Sequence, residues 1–247
     1  MPPKPRPKTP RAPAPAGRGR PGTRLLVILA AGLLVGIVAI VLGTTLGGSK
    51  KSTATAEAAD LSSLAGVTQQ GLILGKSTAK LTLTEYVDTS CPICRDYELA
   101  TVPSLVKQYV RTGKVKIELR PVGFVGPASP RGRDLVLAAA EQNKAFQLAQ
   151  TIYRNQGDET TDWLSDDLAR AIAAKVPGLD VTKLMSDASG SAVKAAAARA
   201  DAEATADGIR GTPTFYLTTQ DGKRHLLGSG SPGLAAFQRV LDRALKG

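Results

Sequence analysis

The chain has 247 residues, and its hydrophobic fraction of 43% gives one domain a sizeable core but leaves too little length for two large domains. Lysines and arginines number 32 against 21 aspartates and glutamates, but nine of these cations and no acid lie in residues 1–51. The rest of the chain therefore carries only 23 − 21 = +2 of the formal net charge of +11. This distribution excludes a basic nucleic-acid-binding domain, and we expect no nucleic acid among the partners.

The amino-terminal region predicts a membrane anchor. Residues 1–24 are rich in Pro, Arg, Lys, Ala and Gly without apolar periodicity, so we expect a disordered basic arm in the cytoplasm. Residues 25–46 contain no charge, and at about 1.5 Å per residue a helix of this length spans the roughly 30 Å of bilayer hydrocarbon. Seven positive charges precede this transmembrane helix and two follow it, which favours a cytoplasmic amino terminus. We therefore expect a single-pass protein of the cell membrane with an extracytoplasmic domain.

A cleavable secretory signal is the alternative to this anchor, because Ala54-Thr55-Ala56 offers a small-x-small cleavage site. The apolar stretch is longer than the roughly 7–15 residues usual in such signals, and the candidate site lies well beyond its end. An uncleaved anchor is therefore favoured, and either interpretation exports the rest of the chain. Residues 47–65 are rich in small and polar residues and predict a flexible linker, followed by a domain over residues 66–247.

The exported domain predicts an α/β fold. Residues 71–74 and Leu81–Val87 have the composition of strands, and strict alternation places Glu85 on the same face as the apolar residues of the second strand. A helical stretch follows, and residues 115–119 alternate as a third strand. Strand, helix and strand in this order predict a parallel pair joined by a crossover.

Helical periodicity then dominates residues 131–208. A strand over residues 214–217, a turn at Asp221-Gly222 and a strand over residues 225–227 predict a hairpin. An amphipathic helix completes the chain. The predicted architecture is therefore a mixed sheet with a block of helices between its third and fourth strands.

The motif Cys91-Pro92-Ile93-Cys94 carries most of the chemical information. It stands at the start of a helix predicted over residues 91–111, with Ser90 or Thr89 as its cap and Pro103 as a kink. The first sulfur then lies near free N–H groups and the positive end of the helix, where a thiolate is favoured. The two-residue spacing allows a disulfide, and it allows the second sulfur to attack a mixed disulfide on the first. The motif therefore has the parts of a redox couple.

Two other uses of the cysteines are less favoured. A structural disulfide over so short a loop stabilises by only about 2 kcal/mol in the chain-entropy model, and a domain with this much core needs none. A metal site would need carboxylates to complete its ligands, because His225 is the single histidine. We therefore expect no metal.

Two further features bear on the site. In Gly211-Thr212-Pro213-Thr214-Phe215 a proline stands at the start of a strand, where either a special turn with a cis bond or an ordinary trans bond is open. Glu85 on an apolar strand face should have a raised pKa and could relay a proton to or from Cys94. An edge-facing or tyrosine-bonded glutamate is the alternative.

These features together resemble the DsbA-like branch of the thioredoxin superfamily, over about residues 66–247. The resemblance implies a thioredoxin-like fold with a helical insertion at about residues 131–190. It also implies these roles: Cys91 as the exposed nucleophile, Cys94 as the buried resolving cysteine, Glu85 as a buried acid beside them, Pro213 as a cis-proline facing the disulfide, Thr212 as a backbone contact for substrate, and Pro92 and Ile93 as the loop between the sulfurs. The best-known oxidases of this family have His where Ile93 stands, so a less extreme potential is expected.

The resemblance implies a thiol-disulfide oxidoreductase that introduces disulfides into exported proteins. Its redox centre would be the Cys91–Cys94 disulfide without a separate cofactor, its substrates protein thiols, and its reoxidant a quinone-linked membrane partner of the DsbB or vitamin K epoxide reductase type. A thiol reductase or disulfide isomerase of the same fold, for example in cytochrome c maturation, stays open because sequence does not fix the potential. A non-enzymatic peptide-binding module is the other alternative.

Overall fold

The computed structural model describes residues 54–246. The predicted basic arm (1–24), the predicted transmembrane helix (25–46) and the first part of the predicted linker lie outside these residues. Across residues 54–246, none of the helices combines the length and the apolar character that a membrane crossing requires.

The described residues form one mixed sheet with helices packed against it. The strands are β1 (Gln69–Gln70), β2 (Ile73–Leu74), β3 (Leu81–Val87), β4 (Val115–Pro121), β5 (Thr214–Thr218) and β6 (Arg224–Ser229). The helices are α1 (Pro92–Ala100), α2 (Val102–Leu105), α3 (Ser129–Ala140), α4 (Ala145–Arg154), α5 (Asp166–Ala173), α6 (Val181–Ala188), α7 (Ser191–Ala206) and α8 (Leu234–Lys246), with a π-helical turn (Val106–Val110) after α2.

The strand order across the sheet is β1-β2-β4-β3-β5-β6. Strands β3 and β4 run parallel, with Leu81 opposite Val115, so the predicted parallel pair is confirmed. Strand β5 pairs antiparallel with both β3 and β6, and Gly222 has a φ of +79° between β5 and β6, as the predicted hairpin requires. Because β3 lies between β4 and β5, six of its seven residues are buried.

The helices α3 to α7 lie between β4 and β5, where the helical periodicity predicts them. Helix α4 packs against both α1 and α3, and α3 also packs against α7. Ile152 and Tyr153 of α4 join Tyr97 of α1 in the main hydrophobic core. The helical block therefore contacts the helix that begins at the cysteine motif.

Two local predictions hold in part. The stretch predicted as a helix over residues 91–111 with a kink at Pro103 consists of α1, α2 and the π-helical turn, and its break falls at Thr101, two residues before Pro103, whose missing N–H leaves the carbonyl of Leu99 without its helical partner. In the strand predicted over residues 71–74, only the last two residues pair, since Gly71 has a φ of +57° in the turn after β1.

The segment before β1 packs on the domain. Ala56 and Leu64 are buried in the main core. The backbone N–H of Glu57 donates to the side chain of Asn155 at 2.7 Å, and the Asn155 amide donates back to the Glu57 carbonyl at 2.8 Å. The prediction of a flexible linker does not hold for residues 54–65, because these buried apolar side chains and paired polar groups fix the backbone.

Candidate active site

Cys91 lies in the turn between β3 and α1 and is itself the N-cap of α1. Its φ and ψ are −78° and 117°, and its Sγ accepts a hydrogen bond from the backbone N–H of Cys94 at 3.3 Å. The prediction of Ser90 or Thr89 as the cap is wrong. The helix begins at Pro92, and the side chain of the preceding residue, Cys91, accepts the hydrogen bond from the third helical residue. The free N–H groups of the helix are therefore directed at the sulfur.

The surroundings of Cys91 favour its thiolate. The pKa of Cys91 is lowered from 9.0 to about 6, chiefly by a hydrogen bond from the Cys94 thiol. The backbone N–H groups of Cys94 and Ile93 act in the same direction, whereas burial opposes them. The sulfur is therefore mostly ionised at neutral pH, which is the form that attacks disulfides.

Cys94 has the opposite character. Burial raises the pKa of Cys94 well above its ordinary value, and the hydrogen bond and negative charge of Cys91 add to this effect. No disulfide joins the two cysteines in this structure, and the opposite pKa shifts favour a negative charge on Cys91 and a proton on Cys94. The pair is thus divided into a nucleophile and a sulfur that must lose a proton before it reacts.

Both cysteines are buried, whereas the resemblance implies an exposed Cys91 and a buried Cys94. Cys91 is 5% exposed and Cys94 is fully buried. The expectation of an exposed Cys91 is therefore wrong in degree, because the loop before β5 covers it and the carbonyl oxygen of Thr212 lies 3.3 Å from its Sγ. Of the two cysteines, Cys91 is still the one that retains accessible surface.

The covering loop contains a cis peptide bond between Thr212 and Pro213. The trans alternative that the sequence left open is thereby excluded. Pro213 is buried at the start of β5, and its carbonyl accepts a hydrogen bond from Gly230 N at 2.9 Å. The structure therefore brings Thr212 and Pro213 against the cysteine motif from a position 121 residues further along the chain.

Two large apolar side chains are exposed, one within the motif and one in a loop whose backbone bonds Asp88. Ile93 is 49% exposed on the first turn of α1, and Phe124, in the loop after β4, is 48% exposed. The loop before Cys91 and the loop after β4 are connected, because Asp88 accepts hydrogen bonds from the backbone N–H groups of Ser90 and Phe124. Phe124 was not singled out from the sequence, since a lone aromatic residue in a loop has no periodicity to mark it.

Asp88 organises the active-site loop, and sequence reasoning missed it. Its side chain is fully buried at the end of β3. One carboxylate oxygen accepts bonds from Ser90 N at 2.9 Å and the Ser129 hydroxyl at 2.7 Å. The other accepts from the backbone N–H groups of Phe124 and Val125, each at 3.0 Å. A buried carboxylate with four donors is fully satisfied, so Asp88 joins the loop before Cys91 to the loop after β4.

Glu85 is fully buried and bonded to a tyrosine, so the predicted raised pKa and the tyrosine-bonded alternative occur together, while the relay of a proton to Cys94 stays a prediction. The Tyr97 hydroxyl donates to Glu85 Oε2 at 2.7 Å. Burial raises the pKa of Glu85 from 4.5 to about 7, although the Tyr97 bond opposes this. No hydrogen bond joins Glu85 to Cys94 among the described residues, but Tyr97 lies within the electrostatic influence of both. A proton exchanged between them would therefore pass by way of Tyr97 or water.

A second buried acid, Glu98, lies beside Glu85. Burial raises the pKa of Glu98 well above its ordinary value, and the neighbouring Glu85 raises it further. Cys94, Tyr97 and Glu98 follow the i, i+3, i+4 spacing of one helix face, and all three are buried. That spacing was the signal in the sequence that could have identified Tyr97 and Glu98.

Among residues 54–246, no group of three or more His, Cys, Asp or Glu side chains has the geometry to hold a metal ion. His225 lies on β6 and is exposed. The chemistry of the site as described therefore rests on the two sulfurs, the buried acids and the loop that covers them.

A mixed sheet with an ionised N-cap cysteine, a buried partner sulfur and a cis-proline facing them defines a thiol-disulfide oxidoreductase. A family model described as thioredoxin matches residues 67–242, and the chain belongs to this family. The predicted thioredoxin-like α/β fold is thereby confirmed for the domain.

Relatives and solved structures agree with this class. The protein named "Probable disulfide bond formation protein D" of Bacillus cereus is 28% identical over 182 residues, which cover 72% of this chain and 80% of that protein. The crystal structure of oxidised BdbD from Bacillus subtilis has a TM-score of 0.63 at 18% identity, covering 78% of this chain and 99% of that one. The crystal structure of alpha-DsbA1 from Wolbachia pipientis has a TM-score of 0.60 at 21% identity, covering 71% and 90%. The DsbA-like resemblance is confirmed at the level of the fold and the enzyme class.

Proposed function

We propose that this thiol-disulfide oxidoreductase donates disulfides to the thiols of exported proteins. The observation that carries this direction is the division of the cysteine pair, with the pKa of Cys91 at about 6 and that of Cys94 raised well above its ordinary value. An ionised, hydrogen-bonded Cys91 stabilises the reduced form, and a stabilised reduced form makes the disulfide a stronger oxidant. The name of the Bacillus cereus relative, a disulfide bond formation protein, supports the same direction.

Each round of the proposed reaction moves two electrons from substrate to enzyme. A substrate thiolate attacks Cys91 Sγ, the Cys91–Cys94 bond breaks, and Cys94 leaves as a thiolate that takes up a proton. A second substrate thiolate then attacks the first substrate sulfur, forms the substrate disulfide and releases Cys91 as a thiolate. The high pKa of Cys94 favours its protonation after the first step.

Substrate peptide is proposed to lie against the loop that covers Cys91. The Thr212 backbone stands beside the reacting sulfur, within 3.3 Å, where an extended peptide could add strand-like hydrogen bonds. Exposed Ile93 follows Cys91 by two residues and exposed Phe124 lies in the loop bonded to Asp88, so both are candidates for apolar substrate contacts, and Pro92 fixes the backbone at the start of α1. These contacts recognise backbone and apolar character rather than one particular sequence.

Reoxidation is proposed to come from a membrane partner that accepts electrons from the reduced pair, a quinone-linked enzyme of the DsbB or vitamin K epoxide reductase type. The uncharged stretch over residues 25–46 supports a membrane anchor with the domain outside the cytoplasm. Anchoring both proteins in one membrane would raise their effective concentration. Protease treatment of intact cells tests this arrangement, because an extracytoplasmic domain is digested while a cytoplasmic one is protected.

The redox equilibrium with glutathione tests the direction. A disulfide donor should have a potential above about −250 mV, and a lower value would assign the protein to the reductants. Ile93 provides no charge for the Cys91 thiolate, so a value less oxidising than about −120 mV is expected.

Cysteine variants test the exchange mechanism itself. Cys91→Ser should abolish oxidation of a dithiol peptide, because the attacked sulfur is gone. The matched Cys94→Ala variant should instead accumulate mixed disulfides with exported proteins, since the sulfur that would displace them is absent. The peptide-binding alternative predicts a different result. The Cys91→Ser protein would still bind unfolded peptide, and both variants would match the parent in dithiol oxidation and in the formation of mixed disulfides.

A further inference from the structure

The turn before α1 is held by a side chain from the helical block that has no role in the exchange chemistry described so far. Gln156 follows α4, and its side-chain amide donates to the carbonyl of Thr89 at 2.7 Å and to the carbonyl of Cys91 at 3.1 Å. Because a primary amide carries two hydrogens, one group can bond both oxygens. Thr89 is 2% exposed, so water has little access to its carbonyl. Gln156 therefore fixes the backbone on both sides of Ser90.

The carbonyl of Cys91 is also the first acceptor of α1. It accepts a hydrogen bond from the backbone N–H of Arg95 at 3.1 Å, so Arg95 and Gln156 together use both of its lone pairs. The Sγ of the same residue accepts from Cys94 N at 3.3 Å and lies 3.3 Å from the carbonyl oxygen of Thr212. The carbonyl and the side chain belong to one residue, and a rotation of its backbone would therefore move the sulfur away from these groups.

The end of α4 next to Gln156 is itself held in place. Asn155 exchanges two hydrogen bonds with the backbone of Glu57, and its amide also donates to the Thr151 carbonyl at 2.8 Å. The Arg154 guanidinium pairs with the Glu57 carboxylate at 2.8 Å. Because the two residues before Gln156 are bonded to the segment before β1, its side chain reaches the turn from a fixed backbone.

A second contact from the same part of the helical block reaches the same turn. The indole N–H of Trp163 donates to Ser90 Oγ at 3.3 Å, and Gly157 packs so closely on Trp163 that a Cβ there would clash with it. The backbone N–H of Ser90 is bonded by Asp88. Ser90 is thus held through its hydroxyl and its N–H, and Gln156 supplies the bonds to the carbonyls on either side. The helical block therefore determines the position of the turn together with α1.

We propose that Gln156 is a positioning residue for thiol-disulfide exchange, which holds the Cys91 carbonyl and thereby keeps the Cys91 sulfur on the N–H groups at the start of α1. The residue acts through the backbone that it bonds. The N–H groups of Cys94 and Ile93 lower the pKa of Cys91, and they do so only while the sulfur stays beside them. The inference concerns exchange in either direction, so it does not depend on whether the protein donates disulfides or reduces them.

The variant Gln156→Met tests this role, because methionine is similar in length and has no hydrogen to donate. With both carbonyls released, the pH midpoint for alkylation of Cys91 should rise by about one unit. At pH 7 ionisation favours the reduced form about elevenfold for a pKa of about 6 and about twofold for a pKa one unit higher. The equilibrium constant with glutathione should therefore shift about fivefold toward the disulfide form of the protein. A contact that only stabilises the fold would affect the reduced and oxidised forms alike and leave both quantities unchanged.

The measurements use the full-length protein, reduced for alkylation and equilibrated with reduced and oxidised glutathione at pH 7 for the second quantity. Gln238→Met is the matched control, since Gln238 on α8 also donates its amide to another side chain, and it should change neither quantity. Gln156→Asn keeps the amide but is one methylene shorter, so it should shift both quantities in the same direction by a smaller amount. The ionisable neighbours Cys94, Asp88 and Tyr153 are unchanged in all three variants.

Midpoints within about 0.2 pH unit and equilibrium constants within about twofold of the parent, in folded Gln156→Met and Gln156→Asn proteins, would overturn the proposal. So would the same shift in Gln238→Met, or an equilibrium shift without a change of midpoint, which would place the effect on the disulfide form. If Gln156→Met does not fold, Gln156→Asn decides the question because it retains the amide. A parent potential below about −250 mV would refute the proposed direction and leave the comparison between parent and variant valid.

Discussion

The hydrogen bond from the Cys94 thiol is the largest cause of the lowered pKa of Cys91, and removing it gives the most direct test of the active-site electrostatics. With a pKa of about 6, about 90% of Cys91 is ionised at pH 7, whereas the ordinary value of 9.0 would leave about 1%. Cys94→Ala removes the thiol donor but keeps the backbone N–H of residue 94. The pKa of Cys91 should therefore rise above 6 without reaching 9.0.

The assay is the rate of alkylation of Cys91 as a function of pH, read together with the ultraviolet absorbance of the thiolate. The parent protein should be measured in its reduced form, with Cys94→Ser as the matched variant because a hydroxyl group can still donate to the sulfur. We expect the midpoints to rise in the order parent, serine variant, alanine variant. A parent midpoint near 9, or an alanine variant with the parent's midpoint, would refute the division of roles between the two sulfurs.

Three further predictions concern the buried acids and the loop packing. The pKa of Glu85 is raised from 4.5 to about 7, so the stability that its protonated form contributes is complete below pH 4.5 and is lost as the pH rises through 7. Glu85→Gln should reduce the difference in the free energy of unfolding by urea between pH 5 and pH 8. An unchanged difference would contradict this prediction. Asp88→Asn should lower the free energy of unfolding by about 3 kcal/mol because it replaces an acceptor-only side chain that has four donors, whereas the exposed control Asp158→Asn should change it by less than about 1 kcal/mol. Gly132→Ala would bring its Cβ into a clash with Thr89 Oγ1. Thermal unfolding should show a loss of about 1–3 kcal/mol in the free energy of unfolding, and adding Thr89→Ala should restore part of it. Full stability in the single variant would exclude the close contact.

The sequence determined the parts of this protein whose chemistry is local. The spacing of Cys91 and Cys94 at a strand-to-helix junction is enough to predict a redox pair with an ionised first sulfur, because neighbouring backbone N–H groups create that environment. The alternating pattern of β3 likewise placed Glu85 on an apolar face. Each of these inferences depends on residues only a few positions apart.

The tertiary structure decided what depends on residues far apart in the chain. The packing of the strands and helices brings Thr212 against Cys91 and places Glu98 beside Glu85. It also lets Phe124 and Ser129 share Asp88 as an acceptor. The degree of burial of Cys91 was misjudged for the same reason, since a loop more than a hundred residues away covers it. Long-range packing leaves no periodic signal in the sequence, and it is this packing that removes water from the buried carboxyl groups and shifts their pKa values.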